Sequence, residues 1–257
     1  SMTKQIFPLA LGGLAIGTTE FIIMGLLPDV AKDLGVSIPI AGHLISAYAF
    51  GVVVGAPILV ALSSKFPPKN ILIVYMILFT LFNALSIIAP DYNTLLMSRF
   101  LAGLPHGAFF GVGTIVAIKL SKKGKEAQAV SSMFTGLTLA ILLLVPFLTY
   151  IGHNTSYKWA FLIVSLLGIF TILALIKFMP KLKSLKTVTF KEEIEFFLTF
   201  KAWHIILIVA IGFGGLFAWF SYIAPLLINV SKFSPSSISY LMLVAGVGMV
   251  AGNILGG

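Results

Sequence analysis

The sequence predicts an all-α integral membrane protein, a bundle of about eight membrane-spanning helices. Three observations predict this class: an apolar composition, long apolar runs that recur along the chain, and an internal repeat with a shift of 197 residues. Of the 257 residues, 59% are hydrophobic and only 10% are charged, and the mean hydropathy is +1.08. Soluble domains carry about 25% charged residues, so this composition excludes an ordinary soluble globule.

Eight apolar runs are long enough to cross a bilayer, which takes about 20 residues of helix. They lie at residues 5–28, 39–63, 70–90, 93–119, 126–152, 157–178, 203–228 and 235–257. Cysteine is absent, which excludes disulfides, thiolate nucleophiles and zinc–thiolate sites. Because no pattern indicates a metal site, a P-loop or a catalytic triad, the sequence predicts neither an enzyme nor a cofactor.

The lysines mark one side of the predicted membrane. With a cytoplasmic N-terminus, thirteen of them fall on the cytoplasmic side, namely Lys4, Lys65, Lys69, Lys119, Lys122, Lys123, Lys125, Lys177, Lys181, Lys183, Lys186, Lys191 and Lys201. Only Lys32, Lys158 and Lys232 fall on the other side. The positive-inside rule therefore predicts this orientation. It also explains the net charge of +9 as membrane topology, so no nucleic-acid partner is expected.

A polar stretch at about residues 180–201 separates six predicted helices from two. We expect a solvated cytoplasmic linker with an amphipathic surface helix around residues 190–200. The chain is therefore divided into a six-helix bundle (residues 1–179), a linker (180–202) and two further helices (203–257).

The two helices after the linker repeat the first two. A shift of 197 residues superposes five identical residues without a gap: Pro28 on Pro225, Ser37 on Ser234, Leu44 on Leu241, Gly51 on Gly248 and Gly55 on Gly252. This predicts a duplicated bundle, of which the chain contains the first copy and about the first 60 residues of the second. The chain is therefore expected to be truncated.

Two ionisable residues lie inside predicted apolar helices. Arg99 is the only arginine and lies in the fourth helix, and Glu20 is the only acidic residue inside the first. At 1.5 Å per residue, both lie about 9–10 Å below the outer surface, so we expect their side chains to meet. The pair is interpreted either as a salt bridge that ties two helices together or as a functional pair that binds a proton or a cationic substrate.

Further candidates share faces with these residues or form aromatic stripes. His106 and Phe110 lie on the same face of the fourth helix as Arg99. A neutral imidazole near the midplane either relays protons and binds substrate or is satisfied by a backbone carbonyl. The seventh predicted helix carries an aromatic stripe, which either packs or stacks against substrate, at Phe213, Phe217 and Phe220.

Small residues predict close helix contacts. The second helix carries Gly51-x-x-x-Gly55, and the eighth carries the matching Gly248-x-x-x-Gly252. This spacing lets two helix backbones approach, and a sliding contact between the halves is the second interpretation. Together with these four glycines, Pro146 in the fifth helix is predicted to serve helix packing and gating.

Three motifs resemble the major facilitator superfamily, and within it the arabinose-efflux-like and drug–proton antiporters of bacteria. They are Gly17-Thr18-Thr19-Glu20-Phe21 with Met24-Gly25-Leu26-Leu27-Pro28-Asp29, Arg99-Phe100-Leu101-Ala102-Gly103-Leu104-Pro105-His106-Gly107, and Met133-Phe134-Thr135-Gly136-Leu137-Thr138-Leu139-Ala140. The resemblance covers the whole chain and implies a twelve-helix plan in a bacterial inner membrane. It also implies that Glu20 and Arg99 couple proton entry to substrate exit.

The chain departs from the family pattern at two places. In the loop after the second helix, Ser64 stands where the family usually has an acidic residue. In the fifth helix, Pro146 lacks the glycines of the antiporter signature. These departures leave the superfamily resemblance intact but weaken the resemblance to the antiporters.

The sequence therefore predicts a monomeric, proton-coupled efflux carrier for a small organic solute such as a sugar, a nucleoside or a drug. Its expected partners are the solute, protons and the lipid bilayer. The alternatives are a facilitator or importer of the same fold without proton coupling, and an inactive truncated fragment. A membrane-embedded enzyme would need more convergent catalytic groups than His106 and Glu20. The lysine bias opposes a seven-helix receptor.

Overall fold

The computed structural model describes residues 2–184 without a gap. Beyond them it describes residues 191–192, 195, 198–201, 203–204, 207–208, 211, 226–232, 234, 237, 239–241, 243–244 and 247. Residues 2–184 form seven α-helices and one π-helical segment. The helices are α1 (Met2–Leu34), α2 (Ile38–Ser63), α3 (Pro68–Ile88), α4 (Tyr92–Leu120), α5 (Glu126–Leu139), α6 (Val145–Asn154) and α7 (Tyr157–Phe178), and the π segment is Ala140–Leu144.

Six helical spans in the described part of the chain are long and apolar enough to cross a membrane. The fifth of them, Glu126–Asn154, joins α5, the π segment and α6. The predicted all-α membrane fold is therefore confirmed, and the first six predicted helices correspond to these spans. The predicted helices at 203–228 and 235–257, the repeat and the linker lie largely outside the described residues.

The first helix is longer than its apolar run predicts. It extends from Met2 to Leu34, whereas the run covers residues 5–28. The apolar run reports only the part that suits hydrocarbon, and a helix continues through polar residues beyond it. The helix ends where Gly35 adopts a φ of +66°, and the N–H of Val36 donates to the carbonyl of Ala31 (3.0 Å). This is the glycine-terminated end common to many helices.

Polar caps start the helices after short connections. The N–H of Thr94 donates to Oδ1 of Asp91 (2.8 Å) at the start of α4, and this bond lowers the pKa of the Asp91 carboxyl. Ser37 caps α2 and Ser156 caps α7 in the same way. Capping satisfies helix N–H groups that have no partner inside the helix. Short capped connections therefore let successive spans run antiparallel.

The end of the bundle at which α1 begins and α7 finishes is called here the lysine-rich end. Phe7 and Phe178 meet there edge to face, with 6.2 Å between ring centroids. Lys69 Nζ, at the start of α3, donates to the carbonyl of Ile176 in α7 (2.9 Å). These contacts bring the lysine-bearing ends of α1, α3 and α7 to one side of the bundle.

At the opposite end, polar contacts join the spans again. His153 Nδ1 in α6 lies 2.8 Å from Oδ1 of Asp29 in α1. The hydroxyl of Tyr92 donates to the carbonyl of Ile40 (2.8 Å). Between the two ends, large apolar side chains such as Val53, Leu62 and Phe170 are exposed on the outer surface. An exposed apolar belt between two polar ends suits a bilayer.

The fifth span packs against α1 through glycines on both sides of the π segment. A Cβ at Gly136 in α5 would overlap the carbonyl of Ala10, and one at Gly152 in α6 would lie 2.7 Å from Leu26. Between them, the N–H of Val145 donates to the carbonyl of Ala140, five residues earlier. The next residue is Pro146, which is buried and has no N–H to donate.

Candidate functional site

Arg99 lies in the interior of the bundle, two turns after the cap of α4. Its side chain is only 1% exposed. Its Nη1 donates to Oγ1 of Thr19 (2.8 Å), and its Nη2 donates to the carbonyl of the same residue (2.6 Å). Nη1 also reaches Oδ1 of Asn83 in α3 (3.4 Å). The guanidinium therefore joins α4 to α1 and to α3.

The partners of this guanidinium are neutral. The Thr19 hydroxyl donates in turn to Oδ1 of Asn83, and Nδ2 of Asn83 donates to the carbonyl of Phe79 (2.9 Å). The Arg99 Cζ lies 4.8 Å from the ring centroid of Tyr48 and 5.2 Å from that of Phe161. Hydrogen bonds and aromatic faces thus compensate the cation. Nε is buried without a hydrogen-bond partner in the described part of the chain.

The predicted contact between Glu20 and Arg99 is wrong as a direct ion pair. Among the described residues, no carboxylate lies within 4.0 Å of the guanidinium, and the nearest ion-pair partner of Glu20 is His106, with 3.9 Å between Oε2 and Nδ1. Thr19 takes the position facing Arg99, and adjacent residues of a helix point in different directions. The two charges therefore belong to one cluster without touching.

His106 forms the second half of this cluster. The hydroxyl of Tyr48 in α2 lies 2.9 Å from Nδ1 of His106. The side chains of His106 and Glu20 are 15% and 14% exposed, in contrast to the fully buried Arg99. Tyr48 therefore touches both halves, because its ring lies against Arg99 and its hydroxyl lies against His106.

Aromatic rings extend from His106 towards α5. Phe110 meets the imidazole at a centroid distance of 5.2 Å and stacks on Phe134 at 5.2 Å with an angle of 8°. Phe134 is 37% exposed and lines a pocket of about 510 Å³ between α4 and α5. The pocket contains Glu126 and Ser131, so it is partly polar. The structure thus joins predicted residues Arg99, His106 and Phe110 in one region, with Glu20 beside them.

Glycines bring α2 and α4 into backbone contact next to this cluster. A Cβ at Gly51 would overlap the carbonyl of Phe100, and one at Gly55 would overlap the backbone of Leu104. A Cβ at Gly103 would overlap the carbonyl of Tyr48. Tyr48 therefore reaches the cluster because no side chain separates the two helices.

A gating role for Gly51, Gly55 and Pro146 stays a prediction. The other predicted site residues, Phe213, Phe217, Phe220, Gly248 and Gly252, lie outside the described residues.

Sequence reasoning missed three polar residues of the cluster: Thr19, Tyr48 and Asn83. Asn83 offered a signal, because it is an amide deep in the apolar run of α3. Thr19 lies in the first motif but next to a more conspicuous carboxylate. Tyr48 precedes Gly51 by one turn and so shares its face, which is a weak signal.

The described residues contain no group of three His, Asp or Glu side chains that would hold a metal ion.

Similar proteins identify the family. Residues 9–257 match the family model described as Major Facilitator Superfamily. The chain is 40% identical over 256 residues to the putative transporter AraJ and 42% identical over 252 residues to the inner membrane transport protein YdhP, both of Escherichia coli (strain K12). It is 30% identical over 253 residues to a probable sugar efflux transporter of Helicobacter pylori (strain HPAG1). These matches cover 98–100% of the chain but only 64–65% of each relative.

Solved structures of low sequence identity share the fold. A bacterial homologue of the human lysosomal transporter Spinster superposes with a TM-score of 0.73 at 17% identity, over 99% of this chain and 62% of that one. A D-xylose–proton symporter superposes with a TM-score of 0.69 at 16% identity, over 98% and 67% of the two chains. The family model and the bacterial relatives confirm the predicted family, which is one of transporters and not of enzymes. The chain belongs to the Major Facilitator Superfamily.

Proposed function

We propose that the full-length protein is a secondary transporter that exchanges protons for a small organic solute and exports the solute by alternating access. The observation that carries this proposal is the partly exposed Glu20 carboxylate 3.9 Å from His106 inside an apolar bundle. Ionisable groups within a membrane are costly and mark proton or substrate paths. Efflux is supported by the name of the Helicobacter pylori relative, a probable sugar efflux transporter.

In this proposal, Glu20 and His106 form the proton site and Arg99 sets its electrostatic surroundings. A proton that reaches Glu20 removes a negative charge from the cluster. The loss changes the free energy difference between the two orientations of the carrier, so that proton binding favours one of them. Solute and proton then compete for the same cluster, which is the basis of exchange.

The proposed solute site begins at His106, Phe110 and Phe134. Aromatic faces suit the apolar side of a sugar, a nucleoside base or a drug, and the imidazole supplies one hydrogen bond. The predicted stripe of Phe213, Phe217 and Phe220 would complete the site from the other bundle. This arrangement requires the proposed division into a six-helix half (residues 1–179), a linker (180–202) and the start of a second half (203–257).

The proposed orientation has the N-terminus and the lysine-rich end in the cytoplasm of a bacterial cell, with the protein monomeric in the inner membrane. Lysine-rich helix ends favour the cytoplasmic side. The pocket between α4 and α5 then opens towards the cytoplasm, since it lies near the start of α5. A cytoplasmic solute would enter past Glu126 and reach Phe134 before Phe110 and His106.

The test is Glu20→Gln in the full-length protein, reconstituted into proteoliposomes and assayed with a labelled pentose, a nucleoside and a lipophilic amine. We expect a pH gradient to drive at least tenfold less solute movement, while counterflow at equal pH persists. The matched control is Asp91→Asn, which makes the same change from acid to amide. Asp91 is exposed at the end of the bundle opposite the lysine-rich end, and asparagine can also cap a helix. Proton-driven transport that survives Glu20→Gln would contradict the proposal.

A second candidate is a carrier of the same fold without proton coupling. The observation in its favour is the reduced antiporter signature around Pro146, together with Ser64 in the loop after α2. Counterflow that is independent of pH, with no change in internal pH when solute is added, would favour this candidate. The chain spans 65% of the relatives AraJ and YdhP, so the assays need the full-length protein in either case.

A further inference from the structure

One nitrogen of His106 faces two different partners. Its Nδ1 lies 2.9 Å from the hydroxyl oxygen of Tyr48 and 3.9 Å from Oε2 of Glu20. The first distance is that of a hydrogen bond, whereas the second is too long for one. A shift of about 1 Å of the imidazole or of the carboxylate would exchange the two partners.

The protonation of Nδ1 decides which of these two contacts is favoured. Nδ1 carries either a lone pair or a hydrogen, never both. With a lone pair, it accepts a hydrogen bond from the Tyr48 hydroxyl. With a hydrogen, it becomes a donor, for which the Glu20 carboxylate is a stronger acceptor than the neutral phenol oxygen, and the Tyr48 hydroxyl loses its own acceptor.

We infer that Tyr48 is a positioning residue of the coupling site, which holds His106 neutral and turned away from Glu20 until the carboxyl proton moves. This inference rests on the proposed proton-coupled function. In the step that it describes, the Glu20 carboxyl O–H breaks and a His106 Nδ1–H forms. One proton moves, the carboxylate and the imidazolium that result form an ion pair, and the Tyr48 hydroxyl keeps its own proton.

The surroundings of His106 contain few other charges. In the described residues, the ionisable groups of the cluster are Glu20 from α1, Tyr48 from α2, and Arg99 and His106 from α4. The faces that α5 and α7 present to the cluster are aromatic, at Phe134 and Phe161. The side chain that α3 presents is the amide of Asn83.

Arg99 holds the side chain of Tyr48, which positions His106. Its guanidinium lies against the Tyr48 ring and is itself held by hydrogen bonds to the hydroxyl and carbonyl of Thr19. The carbonyl of Tyr48 lies against Gly103, so the backbone is held as well. Tyr48 is therefore held at both its ring and its backbone, whereas Glu20 and His106 are partly exposed.

The variant Tyr48→Phe tests the inference in the full-length protein. Tyr75→Phe is the matched control, since Tyr75 is also buried and its hydroxyl also bonds, but to Ser63 far from His106. With a labelled pentose, nucleoside or lipophilic amine as the probe, we expect Tyr48→Phe to reduce pH-driven transport about tenfold relative to counterflow at equal pH. Tyr75→Phe should leave the ratio unchanged.

Nitrogen-15 spectra of histidine-labelled protein in nanodiscs provide a readout that does not depend on transport. The His106 signal is assigned by its loss in His106→Gln. We expect Nδ1 to have the shift of a nitrogen that accepts a hydrogen bond, and Tyr48→Phe to move that signal while Tyr75→Phe does not. An unmoved signal overturns the inference, as does an unchanged ratio of driven transport to counterflow. If the parent protein lacks pH-driven transport but the signal moves, the proposed function fails and the hydrogen bond to Tyr48 stands.

Discussion

The two halves of the polar cluster differ in how far their ionisable side chains are buried and hydrogen-bonded. Around Arg99, every contact is buried, and the guanidinium is held by the hydroxyl and carbonyl of Thr19 and by Asn83. Around His106, the side chains are partly exposed, and the Glu20 carboxylate makes no hydrogen bond to a described residue. The first half is buried like a protein interior and leaves only the Nε of Arg99 without a partner, whereas the second is partly exposed and leaves a whole carboxylate without a hydrogen bond to a described residue.

This difference is the basis for a hypothesis on which charge holds the fold and which one serves the proposed function. A buried charge with several fixed hydrogen bonds is strongly stabilised where it is and resists change. A partly exposed carboxylate beside an imidazole can gain or lose a proton without unfolding its surroundings. Under the proposed function, Arg99 serves mainly the fold and Glu20 with His106 the coupling, and four substitutions test that division.

The largest effect is expected for Arg99→Met. The substitution removes three hydrogen bonds and leaves Thr19 and Asn83 without their charged donor, which should lower the free energy of unfolding by about 3 kcal/mol or more. Thermal unfolding in detergent, followed by size-exclusion chromatography, measures the loss. A variant as stable as the parent would show that the buried half is not a structural element.

A smaller loss is expected for Gly103→Ala, which affects both halves at once. The new methyl group would overlap the carbonyl of Tyr48 and push α2 away from α4, at a cost of about 1–3 kcal/mol. Gly111→Ala is the matched control in the same helix, because nothing lies within 4 Å of its Cβ position. If both variants unfold at the same temperature, the two helices are not in tight contact at Gly103.

Thr19→Val sharpens the comparison within α1. Valine has nearly the same shape but lacks the hydroxyl that accepts from Arg99, so a loss of about 1 kcal/mol is expected. Thr18→Val is the control, since the Thr18 hydroxyl donates only to the carbonyl of Leu14 in its own helix. The urea dependence of unfolding in mixed micelles should separate the two variants, and an equal loss in both would contradict the special position of Thr19.

The smallest change in stability is expected for Glu20→Gln. The carboxylate has no hydrogen bond to a described residue and is partly exposed, so its replacement should change the free energy of unfolding by less than about 0.5 kcal/mol. The same thermal unfolding assay applies. A loss as large as that of Arg99→Met would mean that both halves serve the fold and would remove the distinction between them.

The positions of the spans were predictable because a bilayer imposes them. Each apolar run must be helical to satisfy its backbone in hydrocarbon, so the six predicted spans and the observed ones differ by only a few residues, except at the ends of α1. Those ends were underestimated because Lys4, Asp29 and Lys32 lie in helix beyond the apolar run.

The sequence predicted how deep in the bundle the site residues lie, but not which side chains face one another. Counting residues along two antiparallel helices brings Glu20 and Arg99 to one level, and they do share a cluster. Which residue of α1 faces Arg99 depends on how α1 is rotated against α4, and helix spacing alone does not fix that rotation. Thr19 therefore takes the place expected for Glu20, and Tyr48 enters from a helix with no charge near the site.

The π segment has a consequence for the register of the fifth span. Gly136 and Gly152 are 16 residues apart, and at about 100° per residue a regular α-helix would turn them about 160° apart, to nearly opposite sides. The single wide turn at Ala140–Leu144 absorbs one residue and reduces this angle to about 60°, so both glycines can face α1. Removing one residue from that turn would therefore leave a regular helix with the same register, whereas regularising the turn without a deletion would rotate α6 by about 100° and carry His153 away from Asp29.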